Sequence, residues 1–210
     1  MRLLTVGDSF TYGEELDELT NAWPVLLSRK LDYSLTNLGM PSGGNTQMVR
    51  KVIENYHDFD LIIIAWSHFA RIEIADESGV YDTWPGHTGK LFVNDLAYRQ
   101  KLIEYIRRYF NDRYLYNQYL INIILLQNFL NYQNKRYIMI DAFGNNIYRS
   151  LTTSIESQID ATYYLGWPNE SMMEWTHSTP KGTGGHFLEE GHAIVADKIY
   201  EYIRNLGWVS

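Results

Sequence analysis

Short continuous apolar runs alternate with stretches of helical spacing along most of this chain. Residues 2–6 form an apolar run of strand length broken by Gly7, and 60–65 is a β-branched run suited to a central strand covered on both faces. Residues 33–38 and 136–141 predict two further strands. Between the first strands, Trp23, Leu26, Leu27 and Leu31 keep helical spacing behind a Thr20-Asn21 cap and Pro24. Met48, Val49, Val52, Ile53 and Tyr56 form the apolar face of a second helix, opened by the Gly-rich turn 37–46. The order β-α-β-α-β predicts a parallel sheet flanked by helices, in a single domain spanning 1–210.

Beyond Ala70 the periodicity lapses. Gly79, Pro85, Gly86 and Gly89 punctuate a stretch to about Asn94 that reads as an irregular insertion (70–94) at the carboxyl edge of the sheet, where long loops tend to carry function. Asn94-Asp95 then predict the cap of a helix faced by Leu102, Ile103, Ile106, Tyr109 and Phe110. A further helix carries Leu115, Tyr119, Leu120, Ile123, Ile124 and Leu130. Residues 148–159 predict a weakly patterned helix and 162–178 are ambiguous. The last helix starts at Glu189-Glu190, with Ala196, Ile199, Tyr200, Ile203 and Leu206 turned inward.

Composition narrows the setting. A chain of 210 residues, 45% hydrophobic, can bury one large core. Lys and Arg number 18 against 25 Asp and Glu, and the net charge of -7 disfavours a grip on nucleic acid. The absence of cysteine excludes a disulfide framework and thiolate metal sites. The most apolar late stretch, 120–126, contains Asn122 and falls far short of the roughly 20 residues of a membrane span. Met1-Arg2 lead straight into the first strand without a signal-peptide-like apolar region, so a cytoplasmic location is expected. The 17 Tyr and 6 Trp offer flat faces for sugars, although such residues also serve as ordinary packing.

Two stretches carry candidate chemistry. Gly7-Asp8-Ser9 places a hydroxyl at the exit of the first strand, the edge at which open α/β sheets collect ligands. The Gly-rich loop 182–192 delivers His186 just before the last helix. A serine with a histidine in reach is the minimum for nucleophilic acyl transfer, because the hydroxyl needs a neighbouring base to take its proton. His177, His186 and His192 cluster in sequence, but no pair has the i, i+4 spacing of a zinc motif.

Gly7-Asp8-Ser9, Gly44-Asn45-Thr46, and His186 followed by Gly191-His192 resemble three of the four signature blocks of the SGNH, or GDSL, hydrolases. That resemblance implies a three-layer α/β/α sandwich with a mainly parallel, flavodoxin-like sheet. It also implies an esterase that needs neither metal nor organic cofactor and acts on a small-molecule or carbohydrate ester. By position, Ser9 is the nucleophile, the N–H groups of Ser9 and Gly44 are oxyanion donors, His186 is the general base, and Asp8 braces the turn. Some family members are carbohydrate deacetylases, and Tyr81, Trp84, Trp167 and Trp175 in irregular segments give a sugar substrate some support. Some variants of the family with a Gly-His-Phe block before Gly-His are carried by bacteriophages, so the resemblance implies a phage or bacterial source.

The chain departs from that pattern twice. The third strand of the family ends in Gly-x-Asn-Asp, whereas here the place reads Trp66-Ser67-His68-Phe69, leaving His68 nearest the missing Asn and Asn45 as a competing donor. The usual Asp three residues before the catalytic histidine is Thr183, followed by Gly184 and Gly185. Thr183, a backbone carbonyl, Asp141 and Asp76 are alternative orienting groups. A shifted register would pair Glu189 with His192, but Glu189 also suits a helix N-terminus. Two readings stay open: a serine ester hydrolase, or a catalytically weak SGNH-fold binding or structural module. A carboxylate on the far ring nitrogen of His186 separates them.

Overall fold

In the computed structural model the described residues are 1–76, 79–83, 96–109, 111–145 and 154–209. The chain runs β1 (Arg2–Val6), α1 (Ser9–Tyr12), α2 (Trp23–Leu31), β2 (Ser34–Asn37), α3 (Asn45–Asn55) and β3 (Leu61–Trp66). It continues through β4 (Ile72–Asp76), β5 (Gly79–Thr83), α4 (Leu96–Tyr109), α5 (Asp112–Tyr132) and β6 (Arg136–Asp141). It closes with β7 (Tyr164–Leu165), α6 (Met172–Trp175) and α7 (Glu189–Asn205). Five strands pair in parallel in the order β2-β1-β3-β6-β7, which is the doubly wound, flavodoxin-like order once the β4-β5 pair is set aside. The strand order reverses between β1 and β3, so a crevice opens where both strands end.

The period-2 alternation of the buried strands sorts the core into two layers. Leu4, Val6, Ile62, Ile64, Trp66 and Met139 face one way, toward Met48 and Val52 of α3 and Leu120, Ile123 and Leu130 of α5. Leu3, Leu61, Ile63, Ala65, Ile138 and Ile140 face the other, toward Trp23 and Leu27 of α2 and Val195, Ile199 and Ile203 of α7. All six residues of β3 are buried, as its unbroken apolar run predicts.

The structure departs from the pattern in several places. The stretch read as irregular begins with an antiparallel hairpin, β4 against β5, while 84–95 lie outside the described residues. Ile53, expected on the apolar face of α3, is 45% exposed because it falls on the helix edge turned away from the sheet. The turn expected after β1 is instead the short helix α1, which Asp8 caps by accepting from the Phe10 N–H at 3.0 Å. Thr20 and Asn21 belong to a 3₁₀ turn, and Ala22 takes the N-cap position of α2 ahead of Pro24. Of the expected helix at 148–159, residues 146–153 lie outside the described residues and 156–158 form a 3₁₀ turn. Phe110 and the side chains of Leu102 and Tyr109 are likewise outside them. No helix among the described residues is long and apolar enough to cross a membrane.

Candidate active site

The exit of β1 turns directly into α1, so Ser9 sits buried at the first helical position with its hydroxyl at the crevice. The loop between α6 and α7 crosses the same edge, where Lys181 bridges Phe187 and the Gly182 N–H bonds the His186 carbonyl at 2.9 Å. This tight loop presents His186 to the serine: His186 Nε2 lies 2.9 Å from Ser9 Oγ. Phe10 packs on the imidazole at 4.9 Å between centroids and stacks on Phe187, which holds the ring from one side.

The other ring nitrogen meets a residue that the sequence reading passed over. His186 Nδ1 lies 2.9 Å from Oε2 of Glu15, just beyond α1. The same carboxylate accepts from the His186 N–H at 3.1 Å, the Gly184 N–H at 2.6 Å and the Thr183 hydroxyl at 3.1 Å. These bonds, led by that from Gly184 and the one to the His186 ring, hold the Glu15 carboxyl down at about 2, well below the usual carboxylate range. An ionised carboxylate can only accept, so Nδ1 carries the ring proton and Nε2 is left to accept from the Ser9 hydroxyl. Glu14 adds a second carboxylate, 3.6 Å from Nε2.

A faint sequence signal for Glu15 lies in the opposite loop. A Cβ built on Gly182 would fall 2.5 Å from the Glu15 carboxyl carbon, and one on Gly184 would fall 3.0 Å from its Oε2. The Gly-rich block keeps space for a carboxylate that arrives from the far end of the chain.

The other expected residues divide. Gly44 caps α3 at the crevice, and among the described residues neither the Ser9 N–H nor the Gly44 N–H has a protein acceptor, although both residues are buried. Asn45, expected as a donor into the site, has both ends of its amide engaged on the β3 exit. Its Oδ1 accepts from the Ser67 N–H at 2.9 Å, and its Nδ2 faces the Ser67 and His68 carbonyls at 3.4 and 3.2 Å. His68 Nδ1 accepts from the Ala70 N–H at 3.2 Å, and burial pulls the ring down to about 4; the neutral imidazole therefore carries its proton on Nε2.

None of the expected orienting groups contacts the His186 ring among the described residues. Thr183 supports Glu15 instead. Asp141 is buried and accepts from the hydroxyls of Tyr119 and Tyr164, with Asn145 Nδ2 at 3.4 Å. Burial pushes its carboxyl up to about 7. The backbone of Asp76 ends β4, and its side chain lies outside the described residues. His192, the base of the shifted register, is buried in the α2–α7 joint, where Nδ1 accepts from the Trp23 N–H at 3.1 Å.

A cleft of about 580 Å³ opens over Ser9 and His186, walled by Phe10, Arg71, Phe143 and Met173. Trp167 packs on Tyr164 and Trp175 donates to Glu170 at 2.7 Å, so both expected sugar-facing indoles are engaged elsewhere. Trp84 and the side chain of Tyr81 lie outside the described residues. No group of three or more His, Cys, Asp or Glu that could hold a metal occurs among the described residues.

Sheet order, layering and the crevice over β1 and β3 define the SGNH-type, flavodoxin-like α/β/α fold, and solved structures share it. The esterase EstA from Pseudoalteromonas sp., in a structure inhibited by monoethylphosphonate, superposes with a TM-score of 0.59 at 13% identity, covering 99% of each chain. A carbohydrate esterase family 2 enzyme with its carbohydrate binding domain, from Corynascus thermopiles (Myceliophthora fergusii), gives a TM-score of 0.56 at 13% identity, over 99% of this chain and 67% of that one. A two-domain esterase (CEX) active on acetylated mannans gives 0.54 at 11% identity; all of this chain matches, spanning half the length of that one. The chain belongs to the family described as a family of unknown function (DUF6071), which matches residues 11–210. A search of the curated proteins finds no match. None of these matches supports the phage source that the Gly-His-Phe block implied.

Proposed function

We propose that this protein is a serine ester hydrolase that works through an acyl-enzyme on Ser9, with His186 as general base and Glu15 as the group that orients it. The observation that carries this reading is the continuous chain Ser9 Oγ, His186 Nε2, His186 Nδ1, Glu15 Oε2, with 2.9 Å at each junction between residues. As Ser9 Oγ attacks the acyl carbon, its proton passes to Nε2. The imidazolium that forms is stabilised by Glu15, and Glu14 adds a second negative charge nearby. Negative charge develops on the acyl oxygen, where the N–H groups of Ser9 and Gly44, both without a protein acceptor among the described residues, are the proposed donors. His68, nearest the place of the missing Asn, is not among the described residues that line the cleft over Ser9 and His186. His186 then protonates the leaving alkoxide, and water releases the acyl group by the reverse proton path.

The binding-module reading drew its support from the lack of an acid before His186, and the position of Glu15 removes that ground. The substrate class we favour is an acetylated carbohydrate. Its support is the shared fold with carbohydrate esterases and a cleft with an aromatic wall.

The test is hydrolysis of an activated acetyl ester by the wild type and Ser9→Ala, with mass spectrometry after exposure to an activated phosphonate ester. The expected result is turnover that Ser9→Ala abolishes and one phosphonyl group on Ser9. A wild type without turnover and without the adduct overturns the proposal. Release of acetate from acetylated xylan or mannan, with no hydrolysis of a long-chain acyl ester, would support the carbohydrate assignment.

A further inference from the structure

We propose that Arg71 is a positioning residue that orients and polarises the peptide unit carrying the Gly44 N–H; the inference rests on the ester-hydrolase reading above. Arg71 follows the exit of β3, and only 6% of its side chain is exposed, yet it lines the cleft beside Ser9 and His186. Its Nη1 donates to the Gly43 carbonyl oxygen at 3.0 Å and stands 3.5 Å from Asp8 Oδ2. Its guanidinium carbon lies 5.4 Å from the centre of the Phe143 ring, which screens it from solvent on that side.

The Gly43 carbonyl and the Gly44 N–H belong to one planar unit, and the Gly43–Gly44 bond is trans. In a trans peptide these two groups point in opposite directions. A buried cation holding the oxygen on one side therefore sets the direction in which the N–H leaves on the other. Drawing electrons toward that oxygen also makes the N–H a stronger donor, since bonded groups polarise one another most where water is excluded.

The same guanidinium faces the Asp8 carboxylate, which belongs to the residue whose peptide carries the Ser9 N–H. Asp8 is held by the Phe10 N–H at 3.0 Å and the Ser67 hydroxyl at 2.7 Å. One arginine thus links the two backbone segments that carry the proposed oxyanion donors. A flexible Gly-Gly pair would otherwise leave one of them free to rotate. The arrangement assigns Arg71 a role in the transition state, when the oxygen becomes charged, and little role in ground-state binding.

The test uses Arg71→Lys, which keeps a buried cation, and the double variant Asp8→Asn/Arg71→Met, which leaves no charge buried alone. The substrate is a small neutral acetate ester. The expected result is kcat lower by about 10-fold in Arg71→Lys and about 100-fold in the double variant, with KM changed less than about twofold. Ser9 phosphonylation slows in parallel, because the phosphonyl oxygen uses the same donors. Full kcat in Arg71→Lys, with Ser9 still labelled, overturns the role of Arg71 and leaves the ester-hydrolase reading standing. A raised KM at unchanged kcat also overturns it, by making Arg71 a substrate contact. A wild type that neither turns over the ester nor labels at Ser9 overturns both.

Discussion

Glu15 adopts a left-handed backbone conformation, φ 71°, which a side chain with a Cβ accepts only when its surroundings compensate. Four bonds to the 183–186 segment supply that compensation, and the reversed backbone turns the carboxylate back toward His186. Glu15→Gln keeps the shape but offers the ring an amide that can donate, which permits the wrong tautomer. Turnover of the acetyl ester should fall by up to about 10⁴-fold, with folding intact by circular dichroism. Gly182→Ala places a methyl group 2.5 Å from the carboxyl carbon and so pushes the carboxylate aside; it should reproduce much of that loss. The Gly182→Ala/Glu15→Gln double variant should be little worse than Glu15→Gln alone, as expected for two changes acting on one contact. Because the Glu15 carboxyl is held down at about 2, its contribution to docking this loop is present above the ordinary value of 4.5 and is lost only as the pH falls toward 2. Activity between pH 5 and 8 should therefore show no limb that Glu15→Gln removes.

At the scale of elements, two joints keep the crevice in shape. On one face, His192 of α7 accepts the N–H of Trp23 at the start of α2, a buried donor that the helix itself cannot satisfy. Replacing His192 by Phe keeps a ring there and removes the acceptor. The cost should be about 1–3 kcal/mol, read as a lower denaturant midpoint at unchanged slope. On the other face, Asn45 at the start of α3 and Asn145 beyond β6 both clamp Ser67, so the β3 exit is held from two sides. The apolar spacing of α2, α3, α5 and α7 was readable, since one face of each must be buried for the helix to persist. Their ends were less so: the α2 start lies beyond the expected Thr20-Asn21 cap, because a tertiary acceptor on α7 replaces a local one. β7 has only two residues and exists through its pairing with β6, a length at which no alternation can be read.

Over the whole molecule, buried titratable groups oppose one another. Folded His192 resists protonation down to about 3 and His68 to about 4, whereas in the unfolded chain both take up protons near 6.5. Their contributions to stability are complete above 6.5 and decline as the pH falls through that window. Asp141 acts in the opposite sense. Its carboxyl holds its proton up to about 7 in the fold against 3.8 unfolded, so its contribution is present below 3.8 and is lost as the pH rises to 7. Asp141→Asn should therefore steepen the loss of stability between pH 6.5 and 4, measured by denaturant midpoints across that range; an unchanged slope would contradict the assigned shift. The sequence by itself determined the parallel sheet, the two-sided core, Ser9 at a strand exit and His186 ahead of the last helix. Each of these follows from contiguous residues whose spacing shows which side must be buried or where the chain must turn. Only the tertiary structure decided what faces His186, what anchors Gly43 and why Gly182 carries no side chain. Glu15 and His186 stand 171 positions apart, and no local pattern records a contact that exists only after the sheet has brought the two ends of the chain to one edge.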